Sequence, residues 1–365
     1  MKNKKPIYVT QPSLPPLEEY VKLLEDVWES GILTHNGPKV IQFEEELKNK
    51  LQVHNISTLT NGTIALQVAL RALELKGEII TTPFSWVATI SAIKYEGSTP
   101  IFCDINKDTF NIDVSKIEEL ITEKTVAIMP VHVFGTPCDV DAIDKIAKKH
   151  NLKVIYDAAH AIGSTIDEKS VLNYGDVSAI SLHGTKLLNT AEGGACIASD
   201  KILDEKIKSI RFFGHDKNKD IVQDGFNGKM TEIHASLGLA NLKYFDTVLN
   251  DRRIKYQMYK TLLRKDESLK FQKVKFGETN YSYFPVVFET EKQLLKALDA
   301  LNKANIFPRR YFYPSLNNLK NIVTYSECEV SEDIASRILC LPLYYNLTKE
   351  ELEFIGKILL KANTN

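Results

Sequence analysis

Paired cysteines are missing from this sequence. Its five cysteines, Cys103, Cys138, Cys196, Cys328 and Cys340, are odd in number, and none stands in a Cys-x-x-Cys pair. That pattern argues against a disulfide framework and fits buried or free thiols in a reducing compartment. An excess of one charge is missing too. The net charge is −1, which excludes the broad basic footprint of a nucleic-acid binder, so an anionic ligand has to be met by a local site. No apolar run is long enough to span a bilayer. The basic start, Met1-Lys-Asn-Lys-Lys-Pro6, is not followed by an apolar segment, so no signal peptide is expected. The expectation is a cytoplasmic protein with no membrane and no nucleic-acid partner. Internal repeats and low-complexity tracts are also lacking.

What is present is a chain of 365 residues, 44% of them apolar, enough for a large domain and a smaller one. Short apolar runs predict strands over 78–82, 100–104, 126–131, 153–157, 177–181 and 194–198. Helical patterns separate them over 87–95, 117–121 and 141–150. This alternation predicts an α/β fold, a mostly parallel sheet between helices. A long helical pattern over 231–264 leads to a smaller C-terminal α+β domain with a strand over 282–288 and helices over 292–305 and 349–361. The expected division is 1–250 and 251–365. In parallel sheets ligands gather at the carboxyl ends of strands, which singles out Asp104, His132, Asp157 and His183.

Three segments there carry chemistry. Thr60-Asn-Gly-Thr63 precedes a helical run over 64–75. Glycine permits close backbone approach, and free N–H groups at a helix start form an anion site, although an ordinary helix cap reads the same way. Asp157-Ala-Ala-His160 places an acid at a strand end, where it can pair with a cationic ring nitrogen, bind a metal or cap a helix. Ser181-Leu-His-Gly-Thr-Lys186 puts a lysine just after a buried strand. Burial lowers a lysine's pKa and makes it a nucleophile suited to a Schiff base; the alternative is a lysine on an exposed loop. Together these ask for one ligand with a phosphate (Gly62, Thr63, Ser181), a basic ring nitrogen (Asp157) and a carbonyl (Lys186). Pyridoxal 5′-phosphate has all three. Trp86, after a predicted strand end, is placed to cover the ring.

These motifs resemble the DegT/DnrJ family of pyridoxal-phosphate-dependent nucleotide-sugar aminotransferases, colinearly over nearly the whole length. The carrying residues are Asn61-Gly-Thr63, Pro83-Phe-Ser-Trp-Val-Ala-Thr89, Pro130-Val-His132 with Gly135, Asp157-Ala-Ala-His160, and Ser181-Leu-His-Gly-Thr-Lys186 with Glu192-Gly-Gly194. The resemblance implies a fold-type-I aminotransferase and a homodimer with shared active sites. It implies an L-glutamate donor, a nucleotide-sugar acceptor and a pyridoxamine phosphate form between two half-reactions. It also implies that Asn227 reaches the partner's cofactor phosphate. After that asparagine many members carry an aromatic residue and an arginine, where this chain has Gly228 and Lys229. The segment Pro308-Arg-Arg-Tyr-Phe-Tyr-Pro-Ser-Leu316 lacks the histidine common in the family's substrate-facing loop, and Arg309, Arg310 and Tyr311 stand there instead. Thr10-Gln-Pro-Ser-Leu-Pro-Pro-Leu17, Gly31-Ile-Leu-Thr-His-Asn-Gly37 and the Arg-Arg-Tyr-Phe-Tyr-Pro stretch are most similar to members that aminate C4 of dTDP-4-keto-6-deoxyglucose; members that act at C3 share every catalytic motif. Amino sugars of this type go to bacterial surface polysaccharides such as O-antigen and lipopolysaccharide.

The expected roles follow. Lys186 anchors the cofactor and shuttles a proton. Asp157 holds the ring-nitrogen proton, and His160 orients Asp157 or lies under the ring. His183, Glu192, Arg309 and Tyr311 are assigned to the substrate, His183 with simple packing as its plain alternative. Cations over 211–219 and at Arg309 and Arg310 are candidates for the diphosphate. Two other readings compete: a metal hydrolase built on His132, Asp157, His160 and His183, which lack a tight ligand spacing such as HExxH, and a non-catalytic regulator that binds the cofactor.

Overall fold

Seven short apolar segments join edge to edge: Ile56–Leu59 (β1), Glu78–Thr81 (β2), Thr99–Phe102 (β3), Thr125–Met129 (β4), Lys153–Asp157 (β5), Val177–Ser181 (β6) and Gly194–Ala198 (β7). Their spatial order is β1-β7-β6-β5-β4-β2-β3. The pairs β2–β3, β2–β4, β4–β5 and β5–β6 are parallel, and only β7 runs against its neighbours β1 and β6. The carboxyl ends of the other six strands and the start of β7 therefore share one edge. The computed structural model of the chain describes residues 5–364; the basic start at Met1–Lys4 lies outside the described residues.

Helices Leu17–Ser30 (α1) and Pro38–Leu51 (α2) precede the sheet. Gly62–Ala72 (α3), Ala88–Tyr95 (α4), Val140–His150 (α5) and Lys201–Ile210 (α6) connect its strands or follow them. Strand alternation sends neighbouring residues to opposite faces. Ile79, Met129 and Ile155 pack in one cluster with Leu66 and Ala69 of α3 and Ile207 of α6. Ile80, Ile128 and Val154 enter the other face with Ile143 and Ala147 of α5. Both faces are covered, which is why these strands read as continuous apolar runs.

Glu232–Leu242 (α7) and Phe245–Leu263 (α8) lead to a second layer. There Lys270–Phe271 (β8), Phe284–Val287 (β9) and Ile338–Leu341 (β10) form a three-stranded sheet in the order β8-β9-β10. Glu291–Lys303 (α9), Glu329–Arg337 (α10) and Lys349–Thr364 (α11) accompany it. The long helix expected over 231–264 is broken at Lys243–Tyr244, where Tyr244 leaves helical geometry at φ −100°, ψ 2°. No proline or glycine causes this. The break lets Phe245 and Val248 dock in the core that holds Phe43, Leu182 and Leu239, while Tyr256, Tyr259 and Leu263 dock with Phe284, Leu294 and Ile355. The helix expected over 117–121 is likewise replaced, by two 3-10 turns, Val114–Lys116 and Glu118–Leu120. Asp113 caps the first turn through Ser115 N, and the segment is too short to nucleate an α-helix. Among the described residues no helix is long and apolar enough to cross a membrane.

Asp104, two residues after β3, ties the two layers together. Its buried carboxylate accepts from Val330 N at 3.0 Å and Ser331 N at 2.9 Å, in the first turn of α10. An anion at a helix N-terminus satisfies orphan N–H groups and meets the positive end of the helix dipole. Asp104→Ala is expected to lower the unfolding free energy by about 1–2 kcal/mol, read as a shifted denaturant midpoint. A midpoint equal to that of the wild type would show that the α10 cap contributes nothing.

Candidate active site

A cavity of about 420 Å³ opens at the shared strand edge. Its floor is built by backbone approach. After β1 the chain turns into α3, and Asn61 caps the helix by accepting from Ile64 N at 2.9 Å. Gly62 and Thr63 are the first two residues of α3, where backbone N–H groups have no intrahelical acceptor, and both line the cavity. Glycine is required twice here. A Cβ on Gly62 would lie 2.9 Å from the Ser181 Cβ, and one on Gly194 would lie 2.5 Å from the Asn61 carbonyl. The helix start thus rests directly on the end of β6 and the start of β7, and Gly62, Thr63 and Ser181 line the same cavity. Donor N–H groups, two hydroxyls and a helix N-terminus form a phosphate cradle.

Asp157 ends β5 beneath the cavity. Its Oδ2 accepts from Thr89 Oγ1 at 2.7 Å and its Oδ1 from Ala159 N at 3.2 Å. Burial raises its pKa, opposed by those two hydrogen bonds and by the charge of Lys186. Lys186 keeps part of its surface toward the open cavity. The protein packed around it still pushes its pKa down to about 8 by desolvation, with Asp157 pulling the other way. His160 is held below its usual range by burial and then by Lys186. Its ring lies parallel to Phe312 at 6.0 Å and near-parallel to Phe134 at 6.3 Å, and Asn280 Nδ2 holds its carbonyl at 2.6 Å. Its buried Nδ1 has no hydrogen-bond partner among the described residues. No hydrogen bond joins His160 to Asp157 among them either; Thr89 orients the acid, because α4 delivers a hydroxyl where the histidine ring is locked in an aromatic stack.

The outer wall carries Trp86, expected over the cofactor ring, and the residues assigned to the substrate. Trp86, 55% exposed, meets Tyr311 edge-on at 6.4 Å. Arg309 lies 5.7 Å from the Tyr311 ring, and both line the cavity with His183 and Glu192. His183 is exposed rather than packed. Its Nδ1 lies 2.9 Å from Thr185 Oγ1, and its Nε2 lies 3.7 Å from Glu192 Oε1. Tyr283 and Ser85 also line the cavity and escaped sequence reasoning; the proline-led segment 83–89 pointed only to Trp86.

Other candidates lie elsewhere. Arg211 is buried, donating to Glu44 and to Thr58 O, which removes it from the cations available to a diphosphate. Arg310 turns away to Glu291 Oε1 and Ser336 O, both at 2.6 Å, over the Tyr313 ring. Asn227 is exposed and outside the cavity lining, accepting from Lys229. His132 is buried against Tyr156 at 4.7 Å and accepts from Cys138 N. It does not join Asp157, His160 and His183 around the cavity, and among the described residues no three His, Cys, Asp or Glu side chains gather as a metal-holding group.

The model of the DegT/DnrJ/EryC1/StrS aminotransferase family matches residues 17–360. The chain belongs to this family. It is 44% identical to a dTDP-4-amino-4,6-dideoxy-D-glucose transaminase of Shigella dysenteriae, over 96% of this chain and 98% of that protein. It is 40% identical to a transaminase of the same name from Escherichia coli, over 98% and 99%. Its fold superposes on the solved structure of DesI, determined in the presence of its TDP-sugar product, with a TM-score of 0.94 at 28% identity, covering 99% of this chain and 94% of that one. The DegT/DnrJ/EryC1/StrS enzymes are aminotransferases that use pyridoxal 5′-phosphate, and this protein is one of them, with their fold-type-I architecture. The cavity fits that cofactor. A glycine-built anion cradle, a buried carboxylate, an aromatic wall, an orphaned buried His160 Nδ1 and a lysine of lowered pKa face one space.

With the Lys186 pKa at about 8, its neutral amine fraction rises as pH increases through that value. The rate at which the apoprotein takes up pyridoxal phosphate is therefore expected to rise between pH 7 and pH 9 and then level off, followed by stopped-flow absorbance. A rate that falls with pH across that window would contradict this environment for Lys186.

Proposed function

We propose that the enzyme transfers the amino group of L-glutamate to C4 of dTDP-4-keto-6-deoxyglucose, giving dTDP-4-amino-4,6-dideoxyglucose. The observation that carries this reading is the single cavity in which Lys186, Asp157 and the Gly62–Ser181 cradle meet Arg309, His183 and Glu192. The likeness to two transaminases named for that product supports the choice of sugar.

In this reading Gly62 N–H, Thr63 and Ser181 hold the cofactor's phosphate, and Trp86 covers its ring. Asp157, as a carboxylate, would accept a hydrogen bond from the protonated ring nitrogen, and His160 would supply its unpaired Nδ1 beside the ring. Bound there, pyridoxal phosphate is an electron sink for charge that develops at the carbon losing a proton. Lys186 would hold the cofactor through its amine and, when that amine is free, would move a proton from the donor's α-carbon. A lysine that is neutral for part of the time near pH 8 serves both tasks. Arg309 meets an anion, the donor carboxylate or the diphosphate, and Tyr311 packs beside it. His183 and Glu192 contact the sugar.

The enzyme works as a cytoplasmic homodimer, with Asn227 of each subunit completing the phosphate site of the other. Leu17, Val21 and Trp28 support this. They form one exposed apolar stripe along α1, at 68%, 42% and 69% exposure, flanked by exposed Leu14 and Leu33. Such a stripe needs a partner surface. The large cofactor-binding part is residues 1–250 and the small one 251–365. The product serves surface-polysaccharide synthesis.

Purified protein with pyridoxal phosphate, L-glutamate and dTDP-4-keto-6-deoxyglucose is expected to yield a product one amino group richer, placed at C4 by NMR. Amination of a dTDP-3-keto-6-deoxyhexose instead would move the assignment to C3. Lys186→Ala is expected to abolish turnover, and Asp157→Asn to lower kcat by about 10²-fold or more with the fold intact. Full activity of Lys186→Ala would overturn the mechanism.

A further inference from the structure

The reading above needs Asp157 as an anion, although its carboxylate is buried and burial favours the neutral acid. What opposes burial, besides the Lys186 charge and Ala159 N, is the hydroxyl of Thr89, 2.7 Å from Oδ2. Thr89 is 0% exposed in the first turn of α4, so its proton has no water to turn to. A second hydroxyl, Ser85 Oγ, lies 2.8 Å from Thr89 Oγ1 and is itself buried.

The direction of these bonds follows from counting protons. An ionised carboxylate only accepts, so Thr89 must donate to Asp157. A hydroxyl has one proton to give, so the bond between the two hydroxyls must run from Ser85 to Thr89. The chain is therefore polarised from Ser85 through Thr89 to Asp157, and Ser85 stands on the cavity wall next to Trp86. With Oδ2 held by Thr89 and Oδ1 by Ala159 N, the carboxylate cannot rotate freely, and its remaining lone pairs have a fixed direction.

We propose that Thr89, its hydroxyl oriented by Ser85, is a positioning residue that keeps Asp157 ionised and turned toward the cofactor's ring nitrogen. The proposal rests on the assignment of Asp157 to that nitrogen. Thr89 does not line the cavity and acts through the acid. Valine has nearly the same shape and no donor, whereas serine keeps the donor and loses a methyl group, so the pair separates hydrogen bonding from packing.

The test uses the cofactor-loaded enzyme in the half-reaction with L-glutamate alone, which does not depend on the identity of the sugar. For Thr89→Val, the half-reaction rate is expected to fall about tenfold to a hundredfold, the scale of one lost hydrogen bond to a charged group. The L-glutamate concentration giving half-maximal rate should change by less than about threefold. The absorption band of the bound cofactor should shift, and its dissociation constant should rise. Thr89→Ser should restore the band and bring the rate to within a few-fold of the wild type. Ser85→Ala should fall between Thr89→Val and the wild type, and a wild-type rate there would remove Ser85 from the relay. Thr89→Val with an unchanged rate and band would overturn the proposal, as would Thr89→Ser as impaired as Thr89→Val, because shape rather than the hydroxyl would then matter. Asp157→Asn, measured alongside, separates the two levels. If it is impaired and Thr89→Val is not, only the role of Thr89 fails. If neither is impaired, the assignment of Asp157 itself has failed.

Discussion

Everything at the strand edge depends on holding Asp157 and a lysine, two ionisable groups of opposite sign, in one enclosed space. Burial alone would push Asp157 toward its neutral acid and Lys186 toward its neutral amine. Each resists that in the other, and the shifts are unequal in their consequence. Lys186 stays within reach of neutrality at about 8, which a nucleophile and proton carrier needs. Asp157 has two hydrogen bonds as well as the lysine to offset desolvation. The scaffold exists to keep these groups at fixed positions while leaving room for a ligand between them.

The sheet supplies that precision. Asp157 and Ser181 are the last residues of adjacent parallel strands, β5 and β6, so their separation is set by backbone pairing rather than by loops. Gly62 and Gly194 let the start of α3 rest on the end of β6 and the start of β7. Apolar clusters cover both faces of the sheet. A further cluster, with Phe84, Phe134, Tyr283, Phe312 and Ile338, packs the second layer against the cavity wall. Through it, and through Asp104, which accepts from the first turn of α10, the segment bearing Arg309 and Tyr311 reaches the same cavity as Lys186 although more than a hundred residues separate them in the chain.

The central strands were legible because they are buried on both faces and so stand out as apolar runs, as in Val177–Ser181 and Lys153–Asp157. The helices α4, α5, α9 and α11 were legible from periodicity. By contrast, α1 carries an apolar stripe that faces outward, and its only buried residue is Val27, so its pattern does not announce a core contact. The break at Tyr244 left no local signal, since it is imposed by two cores lying in different directions. In the site, Lys186, Asp157 and the Gly62–Thr63 turn were readable only together: each alone also reads as a cap or a loop residue, but one ligand with a phosphate, a ring nitrogen and a carbonyl accounts for all three. Thr89, Ser85 and Tyr283 were not, since a hydroxyl or a phenol on an apolar segment looks the same whether it packs or orients a neighbour. Arg211, first of the cations over 211–219, shows the opposite error: a charge run drew attention to it, yet it is committed to Glu44 and Thr58 within the core.

By itself the sequence determined the fold class, the colinear set of motifs and the identity of the group that each strand end presents, because these follow from periodicity and from residue type. Tertiary structure decided which of those groups share a space and which way they point. It brought Arg309 and Tyr311 to the cavity, sent Arg310 and His132 elsewhere, and gave the orientation of Asp157 to Thr89 rather than to His160. The reason is physical: hydrogen bonds and desolvation act over a few ångströms between residues far apart in the chain, and no local pattern encodes such a distance.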